Sequence, residues 1–383
     1  MQIETLLAQM GNRRDVKTGA VSLPIYHSTT FSHPSVGEST GYDYSRTKNP
    51  TRFVLEEEFA KLEQASYGMA FASGMAAIDA VISLFSAGDH IITSKDLYGG
   101  TYRLFETIGK KAGITVSYVE TGDANEVKAA LIPQTRALFI ETPSNPTLRI
   151  TDLHAMVKIA KEHNLLMIVD NTFMTPYCQQ PLALGADIVV HSATKYLGGH
   201  NDVLAGLVAT RDEAIAKEIL TYQNTIGSAL GPQDAWLLVR GMKTLALRMA
   251  RHEENALILA QWLEQQEDVT KVYYPGLSNH PMADVHRRQA SGFGGMIAFE
   301  VRDEAMVVPL LNNVSLFTYA ESLGSVESLI TYPAGQTHAD IPKAIRESYG
   351  VTDGLLRVSV GIEHADDLIA DLAQAFALAR RSL

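Results

Sequence analysis

One cysteine, Cys178, is present in 383 residues, which excludes a disulfide within the chain and leaves no thiolate cluster for a metal. A reducing, cytoplasmic setting is expected, with Cys178 as a small buried apolar residue. No uninterrupted apolar run approaches the roughly 18 residues a membrane helix needs. The opening "MQIETLLAQMGNRRD" mixes acids and bases into its apolar positions, so neither a signal peptide nor an anchor is expected. Cations are in deficit: 32 Lys and Arg against 43 Asp and Glu give a net charge of −11, which argues against nucleic acid or an anionic membrane surface as partner. Also missing are G-x-G-x-x-G after the first strand, a Walker-type loop, H-E-x-x-H and G-x-S-x-G, so dinucleotide oxidoreductases and the familiar hydrolases lose their signatures. There is no repeat and no low-complexity tract. A small-molecule partner remains.

Residues 1–50 are polar and turn-rich, with no sustained period, and read as an extended arm lying on something else. From residue 51 the chain alternates. "RFVLEEEFAKLEQA" and "ASGMAAIDAVISLF" read as helices; "HIITS", "RALFIE", "LLMIVD" and "ADIVVHS" read as short buried strands. Between two of the strands, Leu153, Met156, Val157 and Ala160 fall at helical spacing. Such alternation predicts right-handed crossovers and a mainly parallel sheet sandwiched by helices over residues 51–235. One long helix is expected over 232–266, with Leu245, Met249, Leu257 and Trp262 on its apolar side. It leads into a smaller α/β domain, 236–383, whose strand candidates are "TKVYYP", "GGMIAFEV", "SLFTYAES" and "LLRVSVG". A closing helix carries Leu368, Leu372, Phe376 and Ala379 on one stripe.

Ligands on parallel sheets sit at the carboxyl ends of the strands. Four predicted strand ends carry polar residues: "VDNT" with Asp170, "IETPSNP" with Glu141 and Asn145, "HSATK" with Ser192, Thr194 and Lys195, and "FASGMAA" with Ser73, Gly74 and Met75. Ser73 can cap a helix, Gly74 lets the backbone come close, and the free N–H groups of the first turn suit a phosphate. A desolvated lysine is an amine nucleophile able to condense with an aldehyde. A neighbouring carboxylate asks for a cation. Pyridoxal phosphate supplies all three partners: an aldehyde for Lys195, a phosphate for the cradle, and a protonated ring nitrogen for Asp170.

Eight stretches in order carry the pattern over nearly the whole chain: "YSRTKNPTR", "FASGMAA", "DLYGGTY", "ETPSNP", "VDNTF" and "HSATKYLGGH", then "AESLGSVESL" with "LLRVSVGIE". In these the sequence resembles the pyridoxal-phosphate enzymes of cysteine and methionine metabolism, the trans-sulfuration family of cystathionine lyases and cystathionine γ-synthase. The resemblance implies an aspartate-aminotransferase-like fold (fold type I) and a homotetramer of tight dimers. It implies that Tyr44 and Arg46 reach the cofactor phosphate of a neighbouring subunit, and that Tyr98 stacks on the cofactor ring with its hydroxyl near the substrate. It makes Arg357 the clamp for the substrate carboxylate, with Asn145 and Ser322 beside it, and Lys195 the base that moves protons at Cα and Cβ.

Three positions bear on which reaction is run. Glu321 resembles the acid that γ-lyases and γ-synthases place beside the distal amino group of cystathionine. "YGGT" lacks the cysteine that methionine γ-lyases carry after the tyrosine–glycine pair. "TYPAGQTH" departs from the family's "HPASMTH" at Tyr332, Gly335 and Gln336. Together these imply a lyase that cleaves cystathionine chiefly by α,γ-elimination to cysteine, 2-oxobutyrate and ammonia, with β-elimination as a second outcome. The alternatives are γ-replacement on an acylated homoserine, and a pyridoxal-phosphate carrier without turnover. A carrier has no use for the carboxylate clamp.

Overall fold

The computed structural model describes residues 1–339 and 341–383. Two units divide it, one of Met1–Ser86 with Ile168–Ala246, the other of Ala87–Met167 with Leu247–Leu383. Strands in the first half of the chain are β1 (Tyr67–Phe71), β2 (His90–Ser94), β3 (Thr115–Val119), β4 (Thr135–Glu141), β5 (Leu166–Asp170), β6 (Ile188–Ser192) and β7 (Gly206–Thr210).

In the first unit the strands run in the order β1-β7-β6-β5, with β5 and β6 parallel and β7 antiparallel to both its neighbours. Asn49 starts the helix Pro50–Leu62: its side chain accepts from the amides of Thr51 (2.9 Å) and Arg52 (3.2 Å), and Pro50 supplies the preset first turn. The helix buries Val54, Leu55, Phe59 and Leu62. Ser73 caps Gly74–Ile82 in the same manner, accepting from Ala76 N at 3.1 Å, and Ala77, Ile78, Val81 and Ile82 are buried. Apart from the helix Ile3–Ala8, which buries Leu7, the first 49 residues are mostly exposed irregular chain.

The expected single helix over 232–266 is two, Pro232–Met242 and Leu245–Leu263. Thr244 makes the break by directing both its amide (3.3 Å) and its hydroxyl (3.1 Å) at the Gly241 carbonyl. A side chain competing for a helical carbonyl leaves no trace in the apolar period.

In the second unit β2 lies between β4 and β3, parallel to both. Helix Leu153–Glu162 buries Leu153, Met156, Val157, Ile159 and Ala160, the face its spacing predicts. Five more strands follow, β8 (Val269–Tyr273), β9 (Met296–Val301), β10 (Thr318–Tyr319), β11 (Leu329–Thr331) and β12 (Leu355–Ser359), in the order β10-β11-β12-β9-β8. Ile297, Phe299, Leu356 and Val358 pack with Leu259 and Leu263, with Leu310, and with Leu368, Leu372, Phe376 and Ala379 of the closing helix Ala365–Ser382. Each large side chain in that core contributes about 1.5–3 kcal/mol. Among the described residues no helix is long and apolar enough to cross a membrane.

Asp371 ties the closing helix to the loop before β10. Its carboxylate accepts from the amides of Ser315 (2.9 Å), Leu316 (2.8 Å) and Phe317 (3.0 Å) and from the Ser315 hydroxyl (2.7 Å). Burial pushes its pKa up, but these donors outweigh burial and hold it below the usual value. A depressed folded pKa means stability that is present above the unfolded value near 3.8 and lost as pH falls through the folded one. Asp371→Ala, which strands three amides, is expected to cost about 2–4 kcal/mol. Thermal melting of both proteins checks this, and the gap between them should close below about pH 4.

Candidate active site

The first unit gathers an anion cradle, an amine and a carboxylate at the ends of β1, β5 and β6. Ser73, in extended conformation (φ −163°), turns the chain from β1 into Gly74–Ile82, so the amides of Gly74 and Met75 open a nine-residue helix without helical partners. A Cβ on Gly74 would stand 2.7 Å from the Cβ of Ser192 and 2.8 Å from its Oγ. Only glycine lets the helix start against the end of β6. Beyond Ser192 the chain makes a tight turn, with Lys195 N donating to the Ser192 carbonyl (3.2 Å) and the Lys195 carbonyl accepting from Gly199 N (2.8 Å). Lys195 is half-buried. The Thr194 hydroxyl lies 3.3 Å from the carbonyl and 3.1 Å from the amide of Ala205.

Asp170 ends β5 opposite Val190 of β6 and is buried. Burial drives its carboxyl pKa up, and Thr172 opposes this, its amide donating to Oδ1 at 3.0 Å. The Thr172 hydroxyl accepts from Ser192 N at 2.8 Å, so Thr172 couples the carboxylate to the cradle. It is the last residue of "VDNT", a position for which sequence reasoning gave no role. Tyr44 and Arg46 are exposed, with the guanidinium carbon 5.6 Å from the ring centroid.

The second unit holds a buried arginine with its hydrogen-bond partners already in place. Arg357, on β12, is 2% exposed; Nη1 donates to Asn145 Oδ1 (2.7 Å), and Nη2 to the Ser322 carbonyl (3.0 Å) and the Thr331 hydroxyl (3.2 Å). Ser322 takes φ +93°, left-handed backbone that costs a non-glycine residue about 1–3 kcal/mol. That twist aims its carbonyl at Arg357. Asn145 sits on a loop pinned by Asp96, which accepts from the hydroxyls of Ser144 and Thr147. Burial first, and then Arg357, push the His338 pKa down to about 4, so this neighbour is neutral at physiological pH. Asp96, Thr331 and His338 escaped sequence reasoning because ordinary polar residues gain meaning only from partners far along the chain.

Tyr98 precedes the helix Gly99–Leu104, and its amide donates to Glu141 Oε2 at 2.9 Å. Burial raises the phenol pKa; Glu321 and Glu141 add to the rise, while Arg103 and Arg357 oppose it. The phenol therefore stays protonated at neutral pH, beside an exposed Glu321. The three departures from the family pattern touch one another. A Cβ on Gly335 would stand 2.7 Å from the Tyr332 ring, and the Gln336 side-chain oxygen accepts from Tyr332 N at 2.9 Å. The tyrosine fills the space a serine at 335 would need.

Pyridoxal phosphate fits these residues. Helix-start amides and hydroxyls meet where glycine alone is tolerated, the donor set a phosphate takes. Asp170 is a buried carboxylate with which no lysine or arginine among the described residues forms an ion pair, a place for a ring N–H⁺.

Comparison with known proteins agrees. A model of the family described as "Cys/Met metabolism PLP-dependent enzyme" matches residues 4–377. The chain is 53% identical to a cystathionine β-lyase of Lactococcus lactis, over 97% of this chain and 98% of that one. It is 54% identical to a cystathionine γ-synthase/O-acetylhomoserine (thiol)-lyase of Bacillus subtilis, over 97% and 96%. The crystal structure of a cystathionine γ-lyase from Lactobacillus plantarum, complexed with L-serine, superposes with a TM-score of 0.97 at 50% identity, covering 99% of this chain and 100% of that one. The mixed α/β architecture is the fold type I expected from the sequence. The chain belongs to the pyridoxal-phosphate-dependent enzymes of cysteine and methionine metabolism.

Proposed function

We propose that this enzyme is a cystathionine lyase, cleaving its substrate chiefly by α,γ-elimination: cystathionine and water give cysteine, 2-oxobutyrate and ammonia. The observation that supports this most is Glu321. It stands next to Ser322, whose carbonyl holds Arg357, and its charge acts on the Tyr98 phenol. An acid so placed suits the distal ammonium of cystathionine while Arg357 and Asn145 hold the near carboxylate.

Ser73, Gly74, Met75, Ser192 and Thr194 would hold the cofactor phosphate, Asp170 its ring nitrogen, and Tyr98 its ring face. Bound pyridoxal phosphate supplies an electron sink for the charge left when the α-proton departs. Lys195 is the base that takes that proton, and for γ-chemistry a second one from Cβ. The phenol of Tyr98, kept protonated by burial, gives its proton to the departing sulfur. Tyr44 and Arg46, exposed on the arm, would complete the phosphate site of a neighbouring subunit in a homotetramer. A cytoplasmic location goes with this role.

The test is product analysis on the purified holoenzyme. Cystathionine alone should give 2-oxobutyrate and cysteine in excess of pyruvate and homocysteine. Absence of any ketoacid, with cystathionine formed from acyl-homoserine plus cysteine, would overturn the lyase reading in favour of γ-replacement. Glu321→Ala is expected to raise KM for cystathionine about fivefold with kcat nearly unchanged, the size of an exposed ion pair of up to ~1 kcal/mol.

A further inference from the structure

Behind β5 and β6 lies a buried polar group with no part in the chemistry above. Asp170 pairs with Val190 in the parallel register, and side chains alternate faces, so Asn171 and His191 project away from the face that carries Asp170 and Ser192. There His191 Nε2 lies 2.5 Å from Glu63 Oε1, both side chains 0% exposed. Asn171 Nδ2 reaches the same oxygen at 3.5 Å and donates to the Gln179 carbonyl at 2.8 Å, while Asn171 Oδ1 accepts from Gln179 Nε2 at 3.0 Å. Phe59 closes the space, its ring edge-on to His191 with centroids 5.4 Å apart.

Packing does not account for this arrangement. Glu63 Oε2 and His191 Nδ1 have no hydrogen-bond partner among the described residues, and apolar groups filling the same volume would be at least as stable. What the group does have is position. Asn171 follows Asp170, His191 precedes Ser192, and Glu63 holds both from the end of the helix Pro50–Leu62. Two strand ends that must keep register at the cofactor are tied to one carboxylate. Its charge also reaches the site. Burial and Thr172 act most strongly on Asp170, and His191 then favours its ionised form. Glu63 faces His191 directly, and Asp170 lies across the strand pair on the opposite face.

We propose that Glu63, through His191 and Asn171, is a positioning residue that holds Asp170 in line with the cofactor's ring nitrogen. The proposal rests on the reading that Asp170 faces that nitrogen, and the test separates the two. Apoenzyme is titrated with pyridoxal phosphate and with its analogue carrying carbon in place of the ring nitrogen, and the ratio of the two Kd values is measured. Asp170→Asn is the reference and should collapse the ratio. Glu63→Gln should lower it roughly tenfold, as one pK unit of lost preference for the N–H⁺ form would, and shift the pH dependence of the bound cofactor's absorbance. His191→Gln should do the same, and the double variant no more than either. Phe59→Leu, which only loosens packing, should lower the melting temperature and leave the ratio alone. If Asp170→Asn keeps the wild-type ratio, the reading of Asp170 falls and the proposal with it. If Asp170→Asn collapses the ratio while Glu63→Gln and His191→Gln weaken both cofactors equally or neither, the proposal alone is overturned.

Discussion

Lys195→Ala is expected to lower kcat on cystathionine by about 10⁴-fold or more while leaving a folded protein that still binds pyridoxal phosphate. A positioned general base is worth roughly 10²–10⁴-fold, and the proposed mechanism asks one amine to serve at two carbons as well as to hold the cofactor. The fold should tolerate the change, because the turn is built from backbone: the Lys195 amide on Ser192 and the Lys195 carbonyl on Gly199, neither of which uses the side chain. Phosphate binding should persist through the amides that open Gly74–Ile82. Steady-state kinetics, cofactor titration and melting temperature together check the claim, and in the wild type, peptide mapping after borohydride reduction should place the cofactor on Lys195. A variant retaining turnover within tenfold would move the base elsewhere.

What could be read in advance follows a physical rule. Lys195, Asp170 and Ser73 stand out because each interrupts or ends an apolar run, and polar atoms at strand ends have few uses besides a ligand. Strand β3, "TVSYV", carries no such mark: it is nowhere fully buried, so neither alternation nor a solid apolar run shows it. The Thr244 break was hidden for another reason, being one side chain's hydrogen bonds rather than a period. Glu63 is the sharpest case. In "RFVLEEEFAKLEQA" it looks like one more acid on a solvated helix face, yet it is wholly buried against a histidine 128 residues away. The setting of Arg357 is equally invisible, since Asn145, Ser322 and Thr331 meet it from 212, 35 and 26 residues away. Local sequence carries propensity and pattern; contacts of this range are set by the folded core.

Arg357→Ala is expected to cut kcat/KM for cystathionine by about 10²–10³-fold, with cofactor affinity unchanged. The guanidinium is oriented before substrate arrives: Asn145 Oδ1 accepts from Nη1, and the Ser322 carbonyl and Thr331 hydroxyl accept from Nη2. Two charge-assisted hydrogen bonds to a carboxylate, each at the low end of about 1.5–3 kcal/mol, give a loss of that size. Arg357→Lys should recover only part of it, because an ammonium is a point charge and cannot span Asn145 and Thr331 while facing a planar carboxylate. The structural cost runs the other way from the catalytic one. Removing the side chain strands the Asn145 and Ser322 oxygens but frees Ser322 from its left-handed backbone, so the melting temperature should move far less than the kinetics. A substrate analogue lacking the carboxylate beside the reacting carbon discriminates. Wild type should prefer the intact substrate by the same 10²–10³-fold, and Arg357→Ala should treat the two alike; a preference that survives the substitution would assign the clamp to another residue.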